Sequence, residues 1–418
     1  MTELVAGASS FMATAYIIVV NPSILSQAGM PYNAVLTATV LVCFFSSLMM
    51  GLYARNPILV APGMGLNAFF TFSVVKGMNV AWEVALGAVF WAGVVFLLLS
   101  VFNIRTHIVR AIPSQLRYAI SVGIGLFIAL IGFVNAGFVI HHPATVVGIG
   151  PINPPTIIFL LGIFMTAILI VRKVKGALLA GMILTTLAAT TVGRIWGEQA
   201  VVTWKGVFAA PDFSLLFALD LTGALALSLI PVIFAFVFTG MFDGLSTFVA
   251  LAEAANLMDA SGEPRNIKRS LETDATSTIL AGLFGSSPGT AYIESAVGIE
   301  AGGKTGLTAI TGAVLFLPFL FLSPLLSAVP AIATAPALVI VGAYMVRPVT
   351  KIQWFQMDEA IPAFLAIVLI PFSYSITQGI IWGFLSWTIL KVISGRGKDV
   401  PVALWIINAL AIVAIALE

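Results

Sequence analysis

SSPGTAYIESAVG, residues 286–298, sets Pro288, Gly289 and the carboxylate of Glu294 between two strongly apolar segments. Proline lacks a backbone N–H and glycine weakens a helix, so this stretch cannot run as one regular helix. The rest of the chain gives that interruption its meaning. The 418 residues are 60% hydrophobic and 9% charged, and the mean hydropathy of +1.10 lies far above the soluble range. Crossing a hydrocarbon core ~30 Å thick takes about 20 largely apolar residues, and such segments recur along the whole sequence. The chain is therefore expected to be an all-α polytopic membrane protein without a soluble domain, and SSPGTAYIESAVG to be one of its interrupted spans.

Apolar runs bounded by Gly, Pro and charged residues predict seven spans near 4–24, 34–54, 57–75, 82–102, 112–134, 155–171 and 176–195. Seven more follow near 223–251, 270–285, 287–301, 306–323, 329–346, 360–376 and 378–394. Cytoplasmic loops should hold most Lys and Arg. With the N-terminus inside, the predicted cytoplasmic loops hold Arg55, Arg105, Arg110, Arg117, Arg172, Lys173, Lys175, Arg265, Lys268, Arg269, Lys304, Arg347, Lys351, Lys391, Arg396 and Lys398. Only Lys76, Arg194 and Lys205 fall elsewhere, a 16 to 3 split that supports fourteen spans. The apolar segment 400–418 could cross, lie in the interface or pack on the bundle. The opening MTELVAGASSF has no basic region, so no cleaved signal peptide is expected. Cys43 is the single cysteine, which excludes an intramolecular disulfide.

A faint internal repeat is present. APGMGLNA (61–68) aligns with SPGTAYIE (287–294) through a shared Pro-Gly at an offset of 226, and GAVFW (87–91) with GAVLF (312–316) at 225. Two seven-span halves, 1–200 and 221–395, would have opposite membrane orientation because seven is odd. Inverted halves with interrupted segments at matching positions point to a secondary transporter and to its binding site. Non-helical backbone survives at membrane depth only where protein or a watery cavity surrounds it. An extended stretch followed by a half-helix meets that condition and aims free N–H groups at the bilayer middle.

Few ionisable residues fall inside the expected spans. Asp243, in FVFTGMFDGLSTFVAL, and Glu294 are the deep carboxylates, with Asp243 read as the only deep aspartate; Glu83, Glu253 and Glu300 sit near span ends. A charge at a helix centre costs about 2.5–3.5 kcal/mol on insertion scales, which favours a functional role. The structural alternative is a carboxyl satisfied by hydroxyls such as Thr239, Ser246, Thr247, Ser286, Ser287, Thr290 and Ser295. No Lys or Arg lies deep enough to pair with either acid. A carboxyl able to change protonation state suits proton coupling and accepts hydrogen bonds from ring N–H groups. After the first Pro-Gly come Asn67, Phe69, Phe70 and Phe72, an amide and aromatic faces that suit a flat heterocycle or, equally, packing and lipid contact.

Other chemistries lack residues. His107, His141 and His142 fall in loops, away from any membrane metal cluster. An intramembrane aspartyl protease needs two cooperating aspartates, and no Walker-type phosphate loop supports ATP-driven pumping. A passive channel stays open as an alternative, as does a membrane receptor or scaffold, although neither needs paired carboxylates at interrupted helices.

At these residues the sequence resembles the nucleobase/cation symporter family, in its azaguanine-type branch of adenine, guanine and hypoxanthine permeases. TELVAGASSFMATAYIIVVNPSIL looks like the branch's first span, APGMGLNAFF its third and MFDGLST its eighth. AYIESAVGIEAGGKTGLTAITGAVLF and SPLLSAVPAIATAPALVIVG look like its tenth to twelfth. The resemblance implies two inverted repeats with spans 3 and 10 broken by short extended stretches. It also implies a core of spans 1–4 and 8–11 (about 4–102 and 223–323) and a gate of spans 5–7 and 12–14 (about 112–195 and 329–394). Carried over by motif, Glu294 and Asp243 would contact a purine, Gly65 and Asn67 would contribute from span 3, and amides around Ala291, Ile293 and Glu294 would be further contacts. Either acid, Asp243 or Glu294, could carry the coupling proton. Two departures stand out: SSPGTA replaces a Ser/Thr-rich run, and DGLST replaces DTLGT. The expected partners are a purine nucleobase, a proton and membrane lipid, with a homodimer plausible, in an inner or plasma membrane. No cofactor, metal or nucleic acid is expected. The same fold carrying uracil, xanthine or an anion is the alternative.

Overall fold

The structure, a computed structural model, describes residues 1–102, 113–143, 145–196, 202, 206–258 and 263–417. Arg105, His107, Arg110 and Lys205 of the sequence reading lie outside the described residues. Among the described residues, eight helices are long and apolar enough to cross a membrane: Thr2–Ala28, Tyr32–Ala54, Trp82–Val101, Ser114–Asn135, Pro154–Val171, Leu227–Ala255, Ala331–Lys351 and Ile376–Ile393. Shorter apolar helices cover Ala177–Thr191 and Gly306–Phe321. The Ile267–Phe284 helix opens on the charged run KRSLETD, and Met357–Ser373 is a continuous helix of 17 residues with Asp358 and Glu359 in its first turn, so neither is a long, wholly apolar helix. Chemistry along these segments dictates helix: with no water in the bilayer core, each backbone polar group must be satisfied within its segment.

Four short strands interrupt the helices. The strands β1 (Val60–Pro62), β2 (Val139–His142), β3 (Val146–Ile149) and β4 (Gly289–Ala291) form two antiparallel pairs. β2 and β3 make a hairpin after the Ser114–Asn135 helix, where the sequence predicts a loop. His141 and His142 lie on its first strand, so the purely helical expectation is corrected here. β1 and β4 pair with Val60 opposite Ala291, Ala61 opposite Thr290 and Pro62 opposite Gly289.

This second pair is deeply buried, and neighbouring groups hydrogen-bond its backbone. Tyr292 N donates to Leu59 O at 2.9 Å and Gly63 N to Pro288 O at 2.9 Å. Ser47 Oγ accepts from Val60 N at 2.9 Å and donates to Val60 O at 3.1 Å. Leu59 N donates to Ser295 Oγ at 3.0 Å, and Tyr292 Oη donates to Pro62 O at 2.5 Å. Small hydroxyls on flanking helices thus supply what a continuous helix would have supplied itself.

Around this centre the Ile267–Phe284 helix packs along Trp82–Val101, and Thr2–Thr14 along Gly306–Phe316. Elsewhere Ala331–Met345 and Met357–Ser373 pack on Ser114–Asn135, and Pro154–Val171 packs on Ala177–Trp196. Residues 400–418, left open by the sequence, contain the helix Val402–Leu417, which lies on Ile376–Ile393. There Asn408 Nδ2 donates to Thr388 Oγ1 at 2.6 Å.

Candidate functional site

Each central strand leads into a short helical segment: β1 into Met64–Ala68, and β4 into Ile293–Ser295 and then Ala296–Glu300. Gly289 owes its identity to the close approach of Ser277. A Cβ at position 289 would lie 1.9 Å from Ser277 Oγ and 3.0 Å from its Cβ, so any side chain there would force Ser277 to shift. Ser277 Oγ is itself held by Ser46 Oγ at 2.7 Å.

Glu294 is half-buried and lines a cavity of about 510 Å³ with Ala13, Lys173, Lys175, Glu300 and Tyr344. Its Oε1 accepts a hydrogen bond from Tyr16 Oη at 2.8 Å, and the Tyr16 ring rests 6.3 Å from that of Tyr292. Asp243, on the Ile230–Ala255 helix, is also half-buried. It lines a second cavity of about 520 Å³ with Gly65, Phe238, Thr239, Phe242, Ile293 and Tyr344. The two carboxylates therefore face neighbouring cavities. Tyr344 borders both, and the consecutive residues Ile293 and Glu294 line one each. Among the described residues neither acid has an ion-pair partner, whereas Lys391 meets Asp358 at 2.5 Å and Glu359 at 2.7 Å at a helix end.

Of the residues singled out from sequence, Gly65, Asp243 and Ile293 share one cavity and Glu294 borders the other. Ala291 is buried within β4. Asn67 is fully buried and lines neither cavity. Its Nδ2 donates to Asn21 Oδ1 at 3.2 Å, and its Oδ1 has no partner. Phe69 and Phe70 are core residues, with Phe69 edge-on to Phe236 at 4.8 Å. The aromatic faces at the Asp243 cavity are those of Phe238, Phe242 and Tyr344.

The structure adds three residues. Asn21 joins four segments: its amide donates to Thr39 Oγ1 at 2.8 Å and Ser286 Oγ at 3.0 Å, and its carbonyl accepts from Asn67 and from Ser287 Oγ at 3.1 Å. Tyr16 holds Glu294. Asp274 is a second deep aspartate, fully buried, its carboxyl facing the backbone of Ala291 and the hydroxyl of Thr290 and without an ion-pair partner among the described residues. It packs on the Asp243 helix so closely that a Cβ at Gly244 would lie 2.1 Å from Asp274 Oδ2. The expectation that Asp243 is the only deep aspartate is corrected. The charges of KRSLETD disguised Asp274 as a span end, yet the buried positions Ser270, Asp274, Ser277 and Ala281 recur at helical spacing.

An apolar helical bundle with two broken segments crossing at its centre, and unpaired carboxylates on cavities beside them, defines a multi-pass membrane transporter. Residues 1–381 match the Xan_ur_permease model, described as a permease family, and the chain belongs to this family. The resemblance read from the motifs is thereby borne out. The chain is 40% identical over 417 residues to adenine permease AdeP of Escherichia coli (strain K12), covering 99% of this chain and 92% of that protein. It is 41% identical over 407 residues to guanine/hypoxanthine permease PbuO of Bacillus subtilis (strain 168), covering 95% and 93%. The transmembrane domain of the cyanobacterial bicarbonate transporter BicA superposes with a TM-score of 0.69 at 18% identity, covering 91% of this chain and 96% of that one. That likeness shows the fold alone. A permease is a transporter, not an enzyme, so family membership now excludes a protease where the count of deep aspartates no longer does.

Proposed function

We propose that this protein imports purine nucleobases by proton symport across the inner or plasma membrane. The observation that carries the reading is the pair of carboxylates, Asp243 and Glu294, each on a cavity beside the crossed β1–β4 segments and neither neutralised by a cation. Purines present ring N–H groups and, in adenine and guanine, an exocyclic amine, and these are donors that carboxylates accept. Relatives named adenine permease and guanine/hypoxanthine permease, alike over nearly the whole chain, support this substrate class. Glu294 and Asp243 accept the base's protons, Gly65 and Ile293 shape the wall against it, and the backbone around Ala291 supplies further contacts. Asn67 acts from behind, through Asn21, in the conformation described.

The transport cycle follows from fourteen spans in two inverted repeats, 1–200 and 221–395, with core spans 1–4 and 8–11 moving against gate spans 5–7 and 12–14. Support for the inversion comes from the register at the centre. Under the 226-residue offset, the pair Pro62–Gly289 has the image Gly63–Pro288, and Gly63 N donates to Pro288 O at 2.9 Å. With the N-terminus cytoplasmic, the Asp243 cavity opens inward, since Arg117, Arg347 and Lys351 line it. Protonation of Asp243 or Glu294 removes a buried charge and so favours one of the two states, as coupling requires.

The test is uptake into proteoliposomes under an imposed pH gradient, with labelled adenine, guanine, hypoxanthine, xanthine and uracil. Accumulation of a purine against its gradient, driven by an inward proton gradient, is expected. Equal uptake with and without the gradient would make the protein a passive channel, and preference for uracil would reassign the substrate.

A further inference from the structure

Three cations line the Asp243 cavity, and among the described residues no anion is paired to them. Arg117, Arg347 and Lys351 border it, and each lies over an aromatic ring. Arg117 is 5.5 Å from the Phe242 centroid, Arg347 4.9 Å from that of Tyr344, and Lys351 5.7 Å from that of Tyr118. Among the described residues none forms a salt bridge, although Glu253 borders the same cavity. Arg117 Nε is buried without a hydrogen-bond partner. Stacking on a ring face orients a guanidinium and leaves its N–H edges free for an anion. A positive-inside bias explains Lys and Arg in a loop; it does not explain three stacked cations converging on one cavity with a carboxylate on its wall.

We propose that this cavity is an effector site for a purine nucleoside 5′-monophosphate, with the base toward Asp243 and the phosphate at Arg117, Arg347 and Lys351. The proposal rests on the purine reading of Asp243. A cavity of about 520 Å³ is of the size that holds small ligands, roughly 300–1,000 Å³. Its wall combines an N–H acceptor at Asp243, apolar faces at Phe238 and Phe242, and the cations. A free base satisfies the first two and leaves the cations unused; a phosphate monoester supplies the dianion they lack. Bound from the cationic side, the nucleotide blocks the cavity without being carried, so a nucleotide made from the imported base restrains further import. The other source of phosphate is a lipid headgroup.

Binding is measured on the purified full-length protein with AMP, GMP and IMP, and with the matching nucleosides and ribose 5-phosphate as probes lacking one half. Base uptake is measured in parallel in proteoliposomes loaded with nucleotide. At least one monophosphate is expected to bind about tenfold or more tightly than its nucleoside and than ribose 5-phosphate, the scale of charge-assisted contacts. It should also inhibit uptake from one side of the membrane. The double variant Arg347→Gln, Lys351→Gln should weaken nucleotide binding about tenfold or more and relieve inhibition while base uptake without nucleotide is unchanged. The proposal is overturned if no monophosphate binds better than its nucleoside, or if the double variant binds it like the parent. It also fails if the variant alters only how uptake depends on the phosphatidylglycerol content of the vesicles, which would assign the cations to lipid. Nucleotide binding without any purine uptake would sink the transport reading and leave this site standing; purine uptake without nucleotide binding would do the reverse.

Discussion

β1 with Met64–Ala68 and β4 with Ile293–Ser295 are built alike: an extended Pro-Gly stretch, paired to its counterpart, turns into a short helical segment. Their side chains take opposite roles. Where the second segment has Glu294 on a cavity, the aligned position of the first is Ala68, buried in the core. The first segment's polar residue, Asn67, is turned into a buried network centred on Asn21. A duplicated backbone therefore does not carry duplicated chemistry. One copy ties the crossing into a buried network, and the other supplies the charge beside the cavity.

The largest test of that division is Glu294→Gln, which exchanges an acceptor-only carboxylate for an amide of the same size. Loss of purine uptake is expected, with binding weakened about 100-fold, the upper range for hydrogen bonds to a charged group, while the protein stays folded. Asn67→Ala should do the opposite, lowering thermal stability with base affinity little changed. If Asn67→Ala removed binding at unchanged stability, the two segments would be chemical equals and the comparison would break.

Next in size is Asn21→Ala. It strips partners from the buried groups of Asn67, Ser286 and Ser287, and buried polar groups left unpaired cost about 1–3 kcal/mol each before relaxation. A loss of about 2 kcal/mol in stability is expected, read as a lowered midpoint of thermal unfolding in detergent. An unchanged midpoint would remove Asn21 as the hub.

Smaller again is the difference between the two Pro-Gly glycines. Gly289→Ala drives a methyl into Ser277, with separations of 1.9 and 3.0 Å, whereas Gly63→Ala meets the Thr290 methyl at 2.9 Å. Overpacking of this kind costs about 1–3 kcal/mol, and Gly289→Ala should sit at the higher end with Gly63→Ala below it. Adding Ser277→Ala should recover part of the Gly289→Ala loss. Equal costs at both glycines, or no recovery, would show that the second crossing is no tighter than the first.

What the sequence could carry and what it could not divide along the same line. Hydropathy, loop charge and the shared Pro-Gly are properties of contiguous residues, and they pointed to the apolar helices, the interruptions and the carboxylates Asp243 and Glu294; Gly65 and Ile293 entered through the resemblance of the motifs to the family. Partnerships across hundreds of residues were not legible. Nothing near Asn21 announces Ser286, and nothing near Asp274, inside a charged run, announces that it is buried against Gly244. The β2–β3 hairpin was missed because a run of VIHH, a proline and VVGI reads equally as loop when no partner surface is known.

Tyr16→Phe is the finest probe of how the first half serves the second. The phenol donates to Glu294 Oε1 at 2.8 Å, and it is the one side-chain donor that the carboxylate has among the described residues. Phenylalanine keeps the ring, and with it the packing on Tyr292 at 6.3 Å, so stability should barely move. The carboxylate loses the contact that fixes its orientation, and a bound base must then meet an acceptor free to rotate. One hydrogen bond to a charged group is worth about 1.5 kcal/mol at the lower end, so base affinity should fall about tenfold, less than for Glu294→Gln because the acceptor itself remains. In the double variant Tyr16→Phe, Glu294→Gln the tyrosine should add little, since its effect passes through the carboxylate. Independent, additive losses would mean that Tyr16 touches the base directly and that both halves of the molecule, not one, present ligands to it.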